Sequence, residues 1–336
     1  MKGKIVLGLS GGVDSAVTAR LLQEQGYDVT GIYLDIGLGG SGAEDAAAVA
    51  DCLKIPFAVR SIERELEEHV CAPFASDYLA GRTPLPCARC NPLVKFPALL
   101  AEAEQRGIPT IATGHYAVVR DGGLYCGKPS NDQSYLLARL PRDILNRVIF
   151  PLGEYEKNEV RALAENFGIP VAHKPDSMEI CFVPDDDYAK WLEERGAVAP
   201  PGDFVDCNGN VMGRHKGIHC YTLGQRRGLG VSGPHRYFVT GIDPEKNTVT
   251  LSDGADLGRT EVICSDPNWL TDAAPDSEFE CSVRLRHSRR ADTVTVMPED
   301  GGQVLIRSQT PLRAPTPGQL AVFYDGERVL GSAWID

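Results

Sequence analysis

No stretch of this chain approaches the roughly 20 consecutive apolar residues that a membrane-spanning helix requires, so no membrane partner is expected. No signal-peptide pattern precedes the first strand-like run, which begins almost at once, and a cytoplasmic location is the expectation. Internal repeats and low-complexity tracts are absent too, which excludes solenoids and long disordered arrays. Positive charge is in deficit: 34 Lys and Arg stand against 46 Asp and Glu, a net charge of −12. Taken alone, that balance argues against a nucleic-acid partner. Three ligand signatures are missing as well. No Lys follows the first glycine cluster, so it is not a GxxxxGK[ST] phosphate loop. No GxGxxG opens the first helix, and no Gly-rich S-adenosylmethionine loop follows the first strand, which disfavours a methyltransferase.

The chain opens instead with Ile5-Val6-Leu7, an apolar run that reads as a buried strand. Gly8-Leu9-Ser10-Gly11-Gly12-Val13-Asp14-Ser15-Ala16 follows, and Val17–Leu22 then reads as a helix ending near Gly26. Glycines between strand and helix let the backbone approach a ligand and gather N–H groups around it. The helix start adds its positive dipole end, and Ser10 and Ser15 add hydroxyls, which suits nucleotide phosphates. Asp14 is out of place in such an anion site and would repel phosphate unless a cation lies between them, which points to Mg²⁺. The stretch resembles the SGGxDS pyrophosphatase loop of ATP enzymes that cleave between the α and β phosphates and adenylate a carbonyl oxygen.

Strand-like and helix-like runs then alternate: Val29–Leu34, Ala43–Leu53, Phe57–Val59, a helical Ile62–Leu79, and Thr110–Gly114. This alternation predicts a doubly wound parallel α/β sheet, Rossmann-like, with ligands at the carboxyl ends of its strands. Gly8–Ser15, Leu34 and Gly114-His115-Tyr116 fall there. The turn-rich segment Gly81–Pro92 precedes another helix, for which Asn91 is the expected cap and Pro92 the first residue. A hairpin is expected over Ala117–Gly127, a helix over Glu156–Phe167, a loop over His173–Pro184 and a helix over Asp185–Arg195. From Ala197 the composition shifts to short β runs punctuated by Gly and Pro, and from about Glu261 apolar and polar residues alternate. The expected units are 1–196 (α/β, adenine nucleotide α-hydrolase-like), 197–258 (small β) and 259–336 (β-barrel). Two basic clusters lie in the second half: Arg214, His215, Lys216, His219, Arg226 and Arg227, then Arg284, Arg286, His287, Arg289 and Arg290.

Seven segments narrow the reading: Gly81-Arg82-Thr83-Pro84 with Pro86-Cys87 and Cys90-Asn91, Gly114-His115-Tyr116, Asp132-Gln133-Ser134-Tyr135, Ile180-Cys181-Phe182, His215-Lys216-Gly217-Ile218, Tyr221–Gly230, and Thr316-Pro317-Gly318-Gln319. In this order they resemble the bacterial tRNA-specific 2-thiouridylase family, sulfurtransferases that make 2-thiouridine at the wobble position. The resemblance covers nearly the whole chain. It implies that Gly8–Ser15, with Leu34 and Gly114, hold ATP. It implies contacts to the tRNA anticodon stem-loop at His115, Asn131, Asp132, Gln133, Arg284, Arg286 and Gln319. It implies that Cys90 is the nucleophile, that Cys181 carries persulfide sulfur, and that a sulfur-donor protein such as a cysteine desulfurase or a relay protein supplies it.

The chemistry is consistent with such a reaction. Oxygen leaves a carbonyl carbon badly as water, so it is first made an AMP ester, and a sulfur nucleophile then attacks. Of the ten cysteines, Cys87, Cys90 and Cys181 sit among Pro and polar residues, whereas the others read as small buried hydrophobes. Cys87 and Cys90 have C-x-x-C spacing, and with Cys181 they could hold a [4Fe–4S] cluster with one open iron. The rival account uses Cys181 as persulfide carrier and Cys90 as resolving thiol, without metal. Two other functions compete. An amide-forming ligase with the same loop would need no cysteines, and an RNA-binding protein with an inactive ATP loop would release no pyrophosphate.

Overall fold

The computed structural model describes residues 2–175, 180–233, 236–288 and 290–336. Five strands, β1 (Gly3–Gly8), β2 (Tyr27–Asp35), β3 (Phe57–Ser61), β4 (Ile111–Ala112) and β7 (Val148–Ile149), form an all-parallel sheet in the order β3-β2-β1-β4-β7. Ile5, Val6 and Leu7 of β1 are fully buried because helices cover both faces of a parallel sheet. The strand order reverses between β1 and β4, so the crevice outside their carboxyl ends is the natural ligand position. The short strand β7 had no counterpart in the periodicity.

The helical run over 63–79 carries a π turn at Glu67–Cys71. A second run corrects the sequence reading. It starts at Pro86, not at Pro92: Pro86–Cys90 is α-helical, Asn91–Lys95 is a π turn, and Phe96–Gln105 is α-helical again. Asn91 is therefore inside the helix, buried, and its Nδ2 donates to Leu136 O (3.0 Å). A proline inside a helix clashes with the carbonyl four residues back, and the widened π turn accommodates Pro92 there.

The hairpin β5 (Ala117–Arg120) and β6 (Gly123–Cys126) forms as expected, but it does not stay with the parallel sheet. Strand β6 pairs with the last strand of the chain, extending the C-terminal sheet. The central sheet has the order β10-β11-β8-β9, from β8 (Gly202–Val205), β9 (Val211–His215), β10 (Phe238–Asp243) and β11 (Thr248–Ser252). The last six strands, β12 (Gly258–Trp269), β13 (Phe279–Arg284), β14 (Asp292–Glu299), β15 (Gln303–Arg313), β16 (Leu320–Asp325) and β17 (Arg328–Ile335), close into a barrel through β12–β17 pairing. Its interior holds Val283, Val296, Ile306 and Phe323, supplied by the period-two alternation.

One segment touches all three sheets' units. A Cβ on Gly81 (φ +71°) would lie 2.9 Å from Ile242 Cγ2 of β10. Arg82 Nη2 donates to Ile335 O of β17, and Thr83 N–H donates to Pro317 O (2.8 Å). The chain then enters the helix Pro86–Cys90. Among the described residues, no helix is long and apolar enough to cross a membrane.

Candidate functional site

The loop after β1 is built around one hydroxyl. Ser15 Oγ accepts from Ser10 N–H (3.1 Å), donates to Gly12 O (3.0 Å) and lies 3.1 Å from Ser10 Oγ. Gly11 has φ +73°, and a Cβ there would collide with Gly42 O at 2.6 Å. Helix Val13–Glu24 begins directly behind Gly12, so its unpaired N–H groups face the concavity. Leu9 and Val13 are buried beneath the loop. Gly114 closes the other side: a Cβ on it would lie 3.0 Å from Asp14 C and Ser15 N, so only glycine allows β4's end to meet the helix start. Gly8–Ser15 and Gly114 are thus adjacent. Leu34, at the end of β2, packs between the core of one sheet face and the apolar cluster around Leu66 and Phe74.

Asp14 is not an unpaired carboxylate. Lys157 Nζ donates to both of its oxygens (2.7 Å each), and Tyr116 Oη donates to Oδ1 (2.7 Å). Lys157 thus pairs with Asp14, the carboxylate at which the sequence reading expects Mg²⁺. Composition and motif gave no sign of this lysine, but position does. Lys157 is the first residue of the helix Lys157–Asn166, where the dipole disfavours a cation, and it follows the capping box of Glu156 and Glu159. Lys174 plays a similar part nearby, donating to Gly11 O (3.3 Å) and Asp45 Oδ2 (2.6 Å). A cavity of about 600 Å³ opens in front of Asp14 and Lys157, and Asn131, Asp132, Gln133 and Arg284 also line it.

These four are held by other contacts. Asp132 accepts from Gly127 N–H, Ser134 N–H, Ser134 Oγ and Arg284 Nη1 (2.5–3.0 Å). The Asp132 and Arg284 side chains are 7% and 17% exposed, so Arg284 spends its charge on Asp132 and tethers the barrel to the first unit. Gln133 Oε1 accepts from Tyr116 N–H (3.0 Å). Asn131, with its amide oxygen turned toward Lys157, accepts that residue's N–H at 3.0 Å. Gln319 Nε2 donates to Thr83 O (2.9 Å), so the Thr316–Gln319 and Gly81–Pro84 motifs form one joint. Arg286 and His287 are exposed, and Arg289 lies outside the described residues. His215 and His219 carry no charge: burial lowers both pKa values. Their place in the basic cluster is a correction to the sequence reading.

His115 follows β4. Its Nδ1 shares a 2.7 Å hydrogen bond with Thr113 Oγ1, and its ring stacks on Phe96. Burial, then the nearby Lys95, pushes it well below the usual histidine range, so the ring is neutral. The same Lys95 acts on Cys87 and Cys90, which lie on the helix and not in a loop. Burial pushes the Cys90 thiol up to about 11, against the pull of Lys95, and Cys181 pushes it further. Cys87 is exposed, yet the surrounding protein still raises its thiol pKa against the pull of Lys95. Cys181 is exposed beside residues 176–179, part of the expected loop, which lie outside the described residues. Cys71, read as an inert core thiol, shares the apolar cluster against which Cys90 packs.

Cys87, Cys90 and Cys181 thus share a neighbourhood, but their sulfurs do not all lie within 4.8 Å of one another. A single tetrahedral zinc with bonds of about 2.3 Å needs its sulfurs roughly 3.8 Å apart, so this arrangement does not fit one. Among the described residues only Glu193, His219 and Cys220 converge that closely. His219 Nδ1 accepts from Ala199 N–H (3.2 Å), which puts the ring proton on Nε2, the atom facing Cys220. A histidine ligand needs the opposite tautomer, so this trio is a hydrogen-bonded cluster and not a metal site.

Comparison with known families agrees in order and extent. Residues 3–185 match the model described as a tRNA methyl transferase HUP domain, 189–253 its PRC-barrel domain, and 259–335 an aminomethyltransferase β-barrel domain. The tRNA-specific 2-thiouridylase MnmA of Geobacter metallireducens is 43% identical, covering 99% of this chain and 96% of its own. Those of Pelotomaculum thermopropionicum and Acidithiobacillus ferrooxidans are each 42% identical, over 100% and 99% of this chain and 98% of theirs. The chain belongs to the tRNA-specific 2-thiouridylase family of tRNA sulfurtransferases.

Proposed function

We propose that this chain is an ATP-dependent sulfurtransferase that adenylates the C2 oxygen of the wobble uridine of a tRNA and replaces it with sulfur. The observation that carries the reading is one neighbourhood: the loop Gly8–Ser15 is backed by Gly114, next in sequence to His115, and the Lys95 that acts on His115 also acts on Cys90. The loop's glycines and the helix start suit a triphosphate, and the Asp14 carboxylate suits Mg²⁺ once Lys157 turns from it to phosphate. Mg²⁺ there would neutralise charge on the departing pyrophosphate.

The uridine oxygen attacks the α-phosphorus and pyrophosphate leaves. The terminal sulfur of a Cys181 persulfide adds to C2, and AMP departs with the oxygen. Cys90 then attacks Cys181 Sγ, which frees the C2 sulfur and leaves a Cys90–Cys181 disulfide for an external dithiol to reduce. Neutral His115 cannot compete as a cation for phosphate, but its ring lies between Thr113 and Phe96 at the crevice. The partners in this reading are tRNA and a sulfur-donor protein, in the cytoplasm. The three-thiol neighbourhood supports a second reading in which Cys87, Cys90 and Cys181 hold a [4Fe–4S] cluster. The deciding experiments are nucleoside mass spectrometry of tRNA from a deletion strain, which should lose 2-thiouridine derivatives, and iron and sulfide analysis after anaerobic purification. Unchanged 2-thiouridine overturns the function. Metal-free protein that thiolates from a persulfide donor with Cys87→Ala fully active excludes the cluster.

A further inference from the structure

In a chain of net charge −12, two long stretches of the second half contain no acidic residue. One runs from Cys207 to Ile242, between Asp206 and Asp243, and the other from Gly301 to Tyr324, between Asp300 and Asp325. They are far apart in sequence, and the fold brings them together: a Cβ on Gly224 (φ +82°) would lie 3.8 Å from Ala314 Cβ. The turn on the central side is rigid. Gln225 Oε1 accepts from Thr222 N–H (3.0 Å), its Nε2 donates to Arg227 O (2.9 Å), and its backbone carbonyl accepts from Val239 N–H (2.9 Å). Leu229 anchors the end of the turn in the central core. Arg226 and Arg227 at its tip, and Arg313 beside Ala314, are exposed and form no ion pair among the described residues. Asp253 lines the same recess as Arg313 without forming an ion pair with it, and its Oδ1 accepts from Ala255 N–H (3.0 Å). The contrast with the neighbouring cations is sharp, since Arg214 is paired with Asp203, Arg284 with Asp132 and Arg307 with Glu261. The acid-free barrel stretch continues to Pro317 and Gln319, which hold Thr83 just ahead of the Cys90 helix.

We propose that Arg226, Arg227 and Arg313 form a phosphodiester-binding surface, at the joint of the central sheet and the barrel, that holds the backbone of the RNA substrate. The assignment rests on the function proposed above. Three guanidiniums without an ion-pair partner among the described residues, two on a preformed turn and one on the adjoining barrel strand, suit an external phosphodiester anion. The missing Asp and Glu remove the repulsion that the rest of this acidic molecule would impose on RNA.

The test is binding of unmodified tRNA by fluorescence anisotropy across a potassium chloride series. Wild type is compared with Arg226→Gln/Arg227→Gln/Arg313→Gln and with a control, Lys4→Gln/Lys54→Gln, whose lysines are exposed on the first unit. Each phosphate contact contributes a slope of about 0.7–0.9 in log affinity against log salt, so the triple variant should flatten the slope by about 2 to 3 units and weaken binding at low salt tenfold or more. The control should match wild type, and ATP binding should be equal in all three. A triple variant with wild-type slope and affinity overturns the surface while leaving the sulfurtransferase reading intact. Wild-type protein that shows no salt-sensitive tRNA binding overturns both.

Discussion

Two carboxylate–cation pairs line the same cavity, and they differ in kind. Asp14 and Lys157 are 31% and 21% exposed and sit where the glycine-rich loop meets a helix start. Asp132 and Arg284 are 7% and 17% exposed, and Asp132 accepts three further hydrogen bonds from its own turn. Arg284 also lies 4.3 Å from the centre of the Tyr324 ring. The first pair is open enough to exchange partners when a ligand arrives, since a partly exposed pair holds its geometry less firmly than a buried one. The second is a joint: either partner left alone would be a buried charge without compensation.

The comparison breaks most visibly at Asp14. Asp14→Ala should cut pyrophosphate release by about 100-fold or more, as loss of one electrostatic contact in a reaction centre does. Its unfolding free energy should change by less than about 1 kcal/mol. A large stability loss with normal pyrophosphate release would make this pair a joint like the other. Asp132→Ala should do the reverse, lowering stability by about 3 kcal/mol in urea denaturation through the uncompensated Arg284. ATP affinity should stay within about twofold, and equal stability to wild type would end the structural reading. Arg284→Lys sharpens the contrast. It keeps the charge but loses the planar stack on Tyr324, so about 1 kcal/mol should be lost. Indifference to this change would mean that charge alone holds the joint.

The smallest effect concerns the thiols. With Cys90 raised to about 11, its alkylation by iodoacetamide at fixed reagent should rise about tenfold per pH unit between pH 7 and 9. A plateau near pH 7 would show a thiolate already formed in the resting protein. The sign for stability follows the same shift: the folded state holds this proton more tightly, so its contribution is present below pH 9 and is lost as pH rises toward 11.

Much of this was legible in the residues because it depends on local pattern. Ile5–Leu7, the glycines and Ser15 announce a strand, a turn and a helix in sequence, and all three form. The alternation in β13 to β15 likewise needs only a period of two. Helix boundaries near prolines were less legible. The Pro-rich run before Cys90 has turn composition, yet Pro86 serves as a helix start and Pro92 is absorbed by a π turn. Strand β4 lies inside the expected Thr110–Gly114 run, whereas the two-residue β7 is too short to give a period.

The sequence by itself determined that a glycine-rich strand–helix loop opens the chain, that a parallel sheet carries it, and that barrel-like β structure follows, because strand and helix periods and glycine turns are properties of neighbours. Only the tertiary structure decided which charges are spent and which are free. Lys157 reaches Asp14 across 143 positions and Arg284 reaches Asp132 across 152. No local pattern encodes such a pairing, since it exists only once the packing of apolar faces has set the distance between the two side chains.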